Sequence, residues 1–371
     1  MLKLEPRPEP SRALSWLSPL VAIAITALIG ALVFSALGKS PGAGLAVFFV
    51  EPIRNAYAWS ELALKATPLL LIALGLAVCF RSNVWNIGAE GQFIVGAICG
   101  GGVAMHATED SPRAIFLVVL LASVLGGMLW AGIVAWLKDR YNANEILVSL
   151  MLVYVATHLL SYLTYGPWKD PAGYNFPQTV SFAAPSAVPR LFRGYRTDIG
   201  TPIALVAAAV FWVFMFRTYA GFRLQVGGLA PAAARYAGFS SRRALWTALL
   251  ISGGMAGLAG GLEAAGPLGQ LTPHVPAGYG FAAIIVAFVG RLHPAGSVLA
   301  ALLMSMFYIG GELAQSRLGL PKSMTGVFQG LLLFTLLACD TLINYRVRWT
   351  VTVRAPEPRA AEPAIQSEGN A

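Results

Sequence analysis

Long apolar stretches recur along almost the whole chain, each bounded by a charged residue or a turn. A hydrocarbon core ~30 Å thick is crossed by a helix of ~20 mostly apolar residues, because in lipid every backbone polar group must bond within its own segment. Ten stretches meet or approach that length: 14–37, 62–80, 87–105, 114–137, 146–165, 201–217, 244–264, 280–290, 295–314 and 325–344. The eighth is short before Arg291 and borrows residues from the Gly278–Gly280 turn, so eight or nine crossings also fit. The expected fold is all-α, a polytopic transmembrane bundle of about ten helices. With 57% hydrophobic and 12% charged residues, the 371-residue chain lacks the charge to cover a soluble surface. The first stretch follows Lys3, Arg7 and Arg12 but exceeds the ~7–15 apolar residues of a secretory signal, so it reads as a retained helix.

The net charge of +9 is dispersed singly between apolar segments instead of gathered on one face, which fits membrane orientation and not nucleic acid binding. Lys and Arg in alternate connections total 16 on the side of both termini and 10 on the other. Cytoplasmic loops carry the excess, so both termini and the 218–243 loop are expected in the cytoplasm and the 166–200 loop outside. The chain then divides into a cytoplasmic segment 1–13, a transmembrane domain 14–345 and a tail 346–371 whose Pro, Ala and Glu bias reads as disordered. The outer loop is rich in turn formers and reads as an ordered excursion with little regular structure. Cys79, Cys99 and Cys339 each stand alone in apolar sequence and read as packing residues.

Two polar segments interrupt the apolar pattern. Between the sixth and seventh stretches runs GGLAPAAARYAGFSSRRALW, Gly227 to Trp246. Pro231 suits a first helical turn, AAARYA favours helix, Gly238 suits a C-terminal cap, and Ser240 or Ser241 can cap the next helix. A short membrane-surface helix is expected. It is either a connection carrying cytoplasmic charge or a docking element whose Ala233, Ala234 and Ala237 let a partner cleft close on it. The second segment, FRSNVWNIGAEGQFIVGA, puts Asn83, Asn86, Glu90 and Gln92 where an apolar helix begins. Polar groups there point to a bundle interior or watery cavity; the alternative is an interfacial helix start with Asn86 as its cap. Trp85 is either a stacking surface or an interface anchor.

These segments resemble the permeases of ATP-binding-cassette importers of the ribose, branched-chain amino acid and nucleoside group. In the first, Gly228, Leu229, Pro231, Ala233, Ala234, Tyr236, Ala237, Gly238 and Arg243 match the family's coupling segment, and Ala230 departs where Asn is common. The second is similar to the Asn-Ile-Gly-Ala-Glu-Gly-Gln signature of the simple-sugar and nucleoside branch. Asn144 and Glu145, with Gly166, Pro167, Lys169, Asp170 and Pro171, resemble that branch's Asn-Glu start and external loop, with Trp168 inserted. The resemblance covers about 62 to 345. It implies a transport subunit in the cell membrane, not an enzyme, with Asn83, Trp85, Asn86, Glu90, Gln92, Asn144 and Glu145 along the solute path. It further implies ATPase subunits docking on the 228–243 segment, a second permease chain, identical or paralogous, and an external binding protein.

Gly38-Lys39-Ser40 matches the end of a phosphate loop, but Val33 occupies the earlier glycine position and an apolar helix replaces the strand. No cofactor is expected on this chain, and ATP would be used by a partner. His106, His158, His274 and His293 lack metal-ligand spacing. A nucleoside-like or purine solute is the expected cargo and a simple sugar the alternative. A different class of reading is an ion-coupled secondary transporter using Glu90, Glu145 or Glu263.

Overall fold

A computed structural model describes residues 2–6, 12–321 and 323–349, with side chains described over 17–321 and 323–339. Apart from one pair of short strands, the described chain is built of helices and their connections: β1 Leu2–Pro6, α1 Arg12–Ala36, α2 Pro41–Phe49, α3 Ala56–Arg81, α4 Ala89–Ala104, α5 Ile115–Tyr141, α6 Glu145–Tyr165, α7 Gly200–Arg217, α8 Tyr219–Leu229, α9 Pro231–Tyr236, α10 Ser241–Glu263, α11 Tyr279–Val289, α12 Pro294–Leu318, α13 Met324–Asn344 and β2 Tyr345–Trp349. Each of the ten expected stretches carries a helix. Seven helices (α1, α3, α5, α6, α7, α10 and α12) are long and apolar enough to cross a membrane.

Buried throughout Ala66–Cys79, α3 forms the axis of the bundle. Around it pack α7, α10, α11 and α12, while α4 and α5 pack on the far side of α10, close enough that Gly253 and Gly257 of α10 meet the α5 backbone at Gly127. The rim is formed by α1 and α13, joined by the Thr26 and Thr335 hydroxyls at 3.1 Å and by Phe34, Phe48 and Phe328. Phe48 lies on α2, which has no counterpart among the ten stretches. Its signal was local: Ser40 accepts from Ala43 N as N-cap and Pro41 opens the first turn.

Two crossings are incomplete helices. At ~1.5 Å per residue the 11 residues of α11 span ~16 Å, about half the hydrocarbon core. The cytoplasmic ends of α3 and α11 are level, since Arg81 Nε donates to Leu292 O at 2.8 Å. Helix α11 therefore starts near the middle of the bundle, and irregular chain from Gly269 to Gly278 makes the outer half of the crossing. Helix α4 is likewise preceded by irregular chain, 82–88, that turns inward after α3. Backbone of this kind is tolerated at membrane depth where protein buries it.

The outer loop 166–200 holds a single turn of 3₁₀ helix, Ala184–Ser186, and is tied to the chain after α10. Thr179 N donates to Leu271 O at 3.0 Å, Phe182 N to Gly269 O at 2.8 Å and Val188 N to Ala265 O at 2.9 Å. At the other end β1 and β2 pair antiparallel, Leu2 opposite Trp349, which requires both termini to lie on one side of the membrane. The first residues assigned to the tail, 346–349, belong to β2; residues 350–371 lie outside the described ones.

Ser241, at the start of α10, and Ser181, in the outer loop, are both exposed at opposite ends of the bundle. In a background without Cys79, Cys99 and Cys339, cysteines at these two positions are expected to react with an impermeant thiol reagent from opposite sides of the membrane. Labelling of both from one side would contradict the orientation.

Candidate functional site

The inward turn after α3 puts Asn86 at the centre of a closed polar knot. Its Nδ2 donates to Gln92 Oε1 at 2.9 Å and to Ser252 Oγ of α10 at 2.9 Å. Its Oδ1 accepts from Gln92 Nε2 at 3.0 Å and from Gly88 N at 3.1 Å. Asn86 is wholly buried and Gln92 nearly so. The two amides are face to face, each donor matched to the other's acceptor, which suits groups that have no water to turn to.

One turn along α4, Glu90 performs a second junction. Its Oε1 accepts from Gly278 N at 2.9 Å and its Oε2 from Gly280 N, the first N–H groups of α11. Those donors have no helical acceptor, and the positive end of the α11 dipole favours an anion there. Glu90 also lies in the first turn of α4, so two helix N-termini share one carboxylate. Gly280 is needed for the approach, since an added Cβ would run into the backbone of Glu90. Asn86 does not cap α4: its N-cap, Gly88, has no side chain to bond. The polar groups here are inside the bundle and bonded within the chain.

The other expected path residues are placed apart. Asn83 is exposed with φ of 54°, at the turn where the chain leaves α3. Trp85, 40% exposed, packs on Phe80 at 5.3 Å and Phe288 at 6.5 Å between ring centres. Asn144 caps α6, its Oδ1 accepting from Ile146 N at 3.0 Å, and Glu145 pairs with Lys138 at 3.0 Å. The structure thus joins Asn86, Glu90 and Gln92 to α10 and α11 and leaves Asn83, Trp85, Asn144 and Glu145 near the cytoplasmic ends of the helices. Ser252 and the Gly278–Gly280 backbone were missed, because their roles come from contacts across some 160 to 190 positions.

At the cytoplasmic end, α8, α9 and the start of α10 carry the 228–243 segment. Helix α9 begins at Pro231, ends before Gly238 with φ of 77°, and is followed by Ser240, which caps α10 by accepting from Arg243 N. Ala230, at its N-cap, makes no side-chain bond. Gly228 abuts the Arg81 carbonyl, so any side chain there would separate α8 from the end of α3. Ala234 corrects the expectation of a common docking face. It is 5% exposed and turned toward the bundle, because its spacing puts it on the seated side of a helix of six residues. Ala233, Tyr236 and Ala237 face away, with Tyr236 98% and neighbouring Leu229 85% exposed. Beneath α9 lies a cleft of about 470 Å³ lined by Asn83, Glu145, Ala234, Arg235 and Arg243. Arg242 closes one side through Asp139 at 2.6 Å. Helix α8 was read as loop, since its Gly and Arg content hides an 11-residue helix capped by Thr218.

The knot makes a quantitative prediction. Asn86→Ala or Gln92→Ala strands a buried amide, a loss of about 1–3 kcal/mol each. The double variant strands fewer groups, so it is expected to be less damaging than the sum by at least ~0.6 kcal/mol, the scale of hydrogen-bond coupling in membrane bundles. Unfolding of the purified variants in detergent measures the cycle; strict additivity would mean that the two amides do not interact.

Comparison with known proteins adds independent findings. Residues 58–337 match the family described as branched-chain amino acid transport system, permease component. The glucose ABC transporter permease protein of Haloferax volcanii is 32% identical over 356 residues, covering 93% of each chain. The guanosine ABC transporter permease protein of Bacillus subtilis is 31% identical over 321 residues, 84% of this chain and 90% of that one. A nucleoside ABC transporter permease protein of Lactococcus lactis is 27% identical over 365 residues, 95% and 97% of the two chains. The chain therefore belongs to the permease-component family of the branched-chain amino acid transport systems, as a multi-pass subunit of the cell membrane whose work is transport and whose ATPase is a separate partner.

Proposed function

We propose that this chain forms the translocation path of an ATP-driven importer for a nucleoside-like or purine solute. It works with ATPase subunits, a second permease chain and an external protein that delivers the solute. The observation that carries the reading is α9: a short cytoplasmic helix seated on the bundle by Ala234, with Leu229 and Tyr236 turned outward and almost fully exposed. Large apolar groups held out on a rigid helix suit a partner cleft. Gly228 of α8 against Arg81 and Arg242 of α10 against Asp139 link the helices on either side of α9 to α3 and α5, so a push on α9 reaches the core of the bundle.

The solute class is supported by the guanosine and nucleoside permeases among the relatives. A simple sugar is the second reading, favoured by the glucose permease of Haloferax volcanii. An ion-coupled mechanism through Glu90 or Glu145 has less support, since Glu90 is held by two backbone donors and Glu145 by Lys138.

Uptake of labelled guanosine and glucose by cells expressing the complete transporter tests the reading. Tyr236→Asp puts a charge on the outward face of α9, where it touches nothing in the bundle. Guanosine uptake is expected to fall roughly tenfold or more, equivalent to at least ~1.4 kcal/mol of coupling, with the permease still inserted and folded. Unchanged uptake would remove α9 from the coupling path, and uptake of glucose alone would replace the solute class.

A further inference from the structure

A cavity of about 510 Å³ opens between α11, α12 and α13, with Gly278, at the start of α11, in its lining. Its walls are mixed. Phe281, Ile284, Ile285 and Leu333 supply apolar surface, while Tyr308, Glu312, Thr325 and Gln329 supply polar groups. Three observations separate it from an ordinary gap between helices. Glu312 lies six positions inside the end of α12, with its side chain 59% exposed and only Lys65, at 3.5 Å, to balance it. A carboxylate within a spanning helix is costly against lipid, so the face it occupies meets water or protein. Gln329 lies beside the Tyr308 hydroxyl, which itself donates to Ala277 O at 3.2 Å, and its buried Nε2 has no other hydrogen-bond partner. Finally, Gly326 and Gly330, one turn apart on α13, leave the wall bare: an added Cβ at either would meet nothing within 4 Å.

We propose that this cavity is the solute-binding section of the transport path, and that it takes a neutral solute with several hydroxyl or amide groups and one flat apolar face, the chemistry of a nucleoside. Glu312 accepts from solute donors, Gln329 turns its N–H₂ from Tyr308 to a solute carbonyl or hydroxyl, and the 41% exposed ring of Phe281 offers a stacking surface. The volume lies within the ~300–1,000 Å³ of small-molecule sites. The bare α13 wall is what leaves room for the solute. The inference deepens the proposed function and rests on it. Within it, Glu90 positions the mouth of the site, since the Gly278 it holds is part of the lining.

Filling the bare wall tests the site. Gly330→Ala, Gly330→Val and Gly330→Leu add volume into open space, so folding is expected to be kept, and removing a helical glycine favours the helix. The complete transporter is reconstituted in vesicles with guanosine as the larger probe and ribose as the smaller. With increasing side-chain size, guanosine uptake is expected to fall first and by roughly tenfold or more at Leu, while ATPase activity and assembly of the permease pair persist. Gln329→Leu should lower guanosine uptake in the same assay. Unchanged uptake across the series, or loss of the assembled pair, would overturn the site; the latter result would make the glycines a packing face for the second permease. A wild-type transporter that moves neither probe would instead refute the proposed solute class, a result distinct from either.

Discussion

The first N–H groups of α11 have no helical acceptors, and they lie about half a membrane thickness from the cytoplasmic end, where bulk water cannot serve them. Leaving them unbonded costs about 1–3 kcal/mol each. Glu90 answers both with one carboxylate, and it stands in the first turn of α4, whose own positive end also faces it. The anion is tolerable in the interior because two helix ends and two donors surround it, and the helix ends are tolerable because the anion is there. Neither broken crossing is accounted for without the other. The Asn86 knot continues the arrangement to α10, so three helices that are distant in sequence are fastened by a stretch of seven residues, 86–92.

That fastening gives the two ends of the molecule a common part. On the cytoplasmic side α9 packs on α8, whose Gly228 abuts the end of α3, and Arg81, at that end, bonds the chain just beyond α11. Beside α11 lies the cavity of Phe281, Tyr308 and Gln329. A displacement of α9 can thus reach α11 through α3, while Glu90 keeps the start of α11 fixed to α4. Helix α11 is short, bounded by irregular chain at its outer end and by Gly290 at its inner end, which suits an element that tilts as a unit.

Apolar length alone made the bundle legible, because lipid admits so few backbone arrangements. The same rule located the weak eighth crossing, and the reason for its weakness is now physical: half of it is not helix. The caps at Pro231, Gly238 and Ser240 were legible too, since capping is local chemistry. Helices α2 and α8 were not, α2 being too short to count as a crossing and α8 too mixed in composition to stand out from a loop. The density of polar groups at Asn86, Glu90 and Gln92 was visible, but their partners were not. Whether a buried amide meets water, solute or another amide is decided by contacts with Ser252 and Gly280, which no spacing in the sequence reveals. Ala234 illustrates the same limit on a smaller scale: composition marks a helix that something can grip, and only the packing separates its seated side from its free side.

The account depends most directly on Glu90 holding the start of α11, and hydrogen exchange at the amides of Gly278 and Gly280 reads that contact. In the wild-type protein both amides should be strongly protected, and in Glu90→Gln, which keeps only one acceptor oxygen for the two donors, exchange of at least one of them should accelerate at least roughly tenfold while α3 stays protected. Equal protection in the two proteins would show that the helix start is held by something other than Glu90 and would contradict the account.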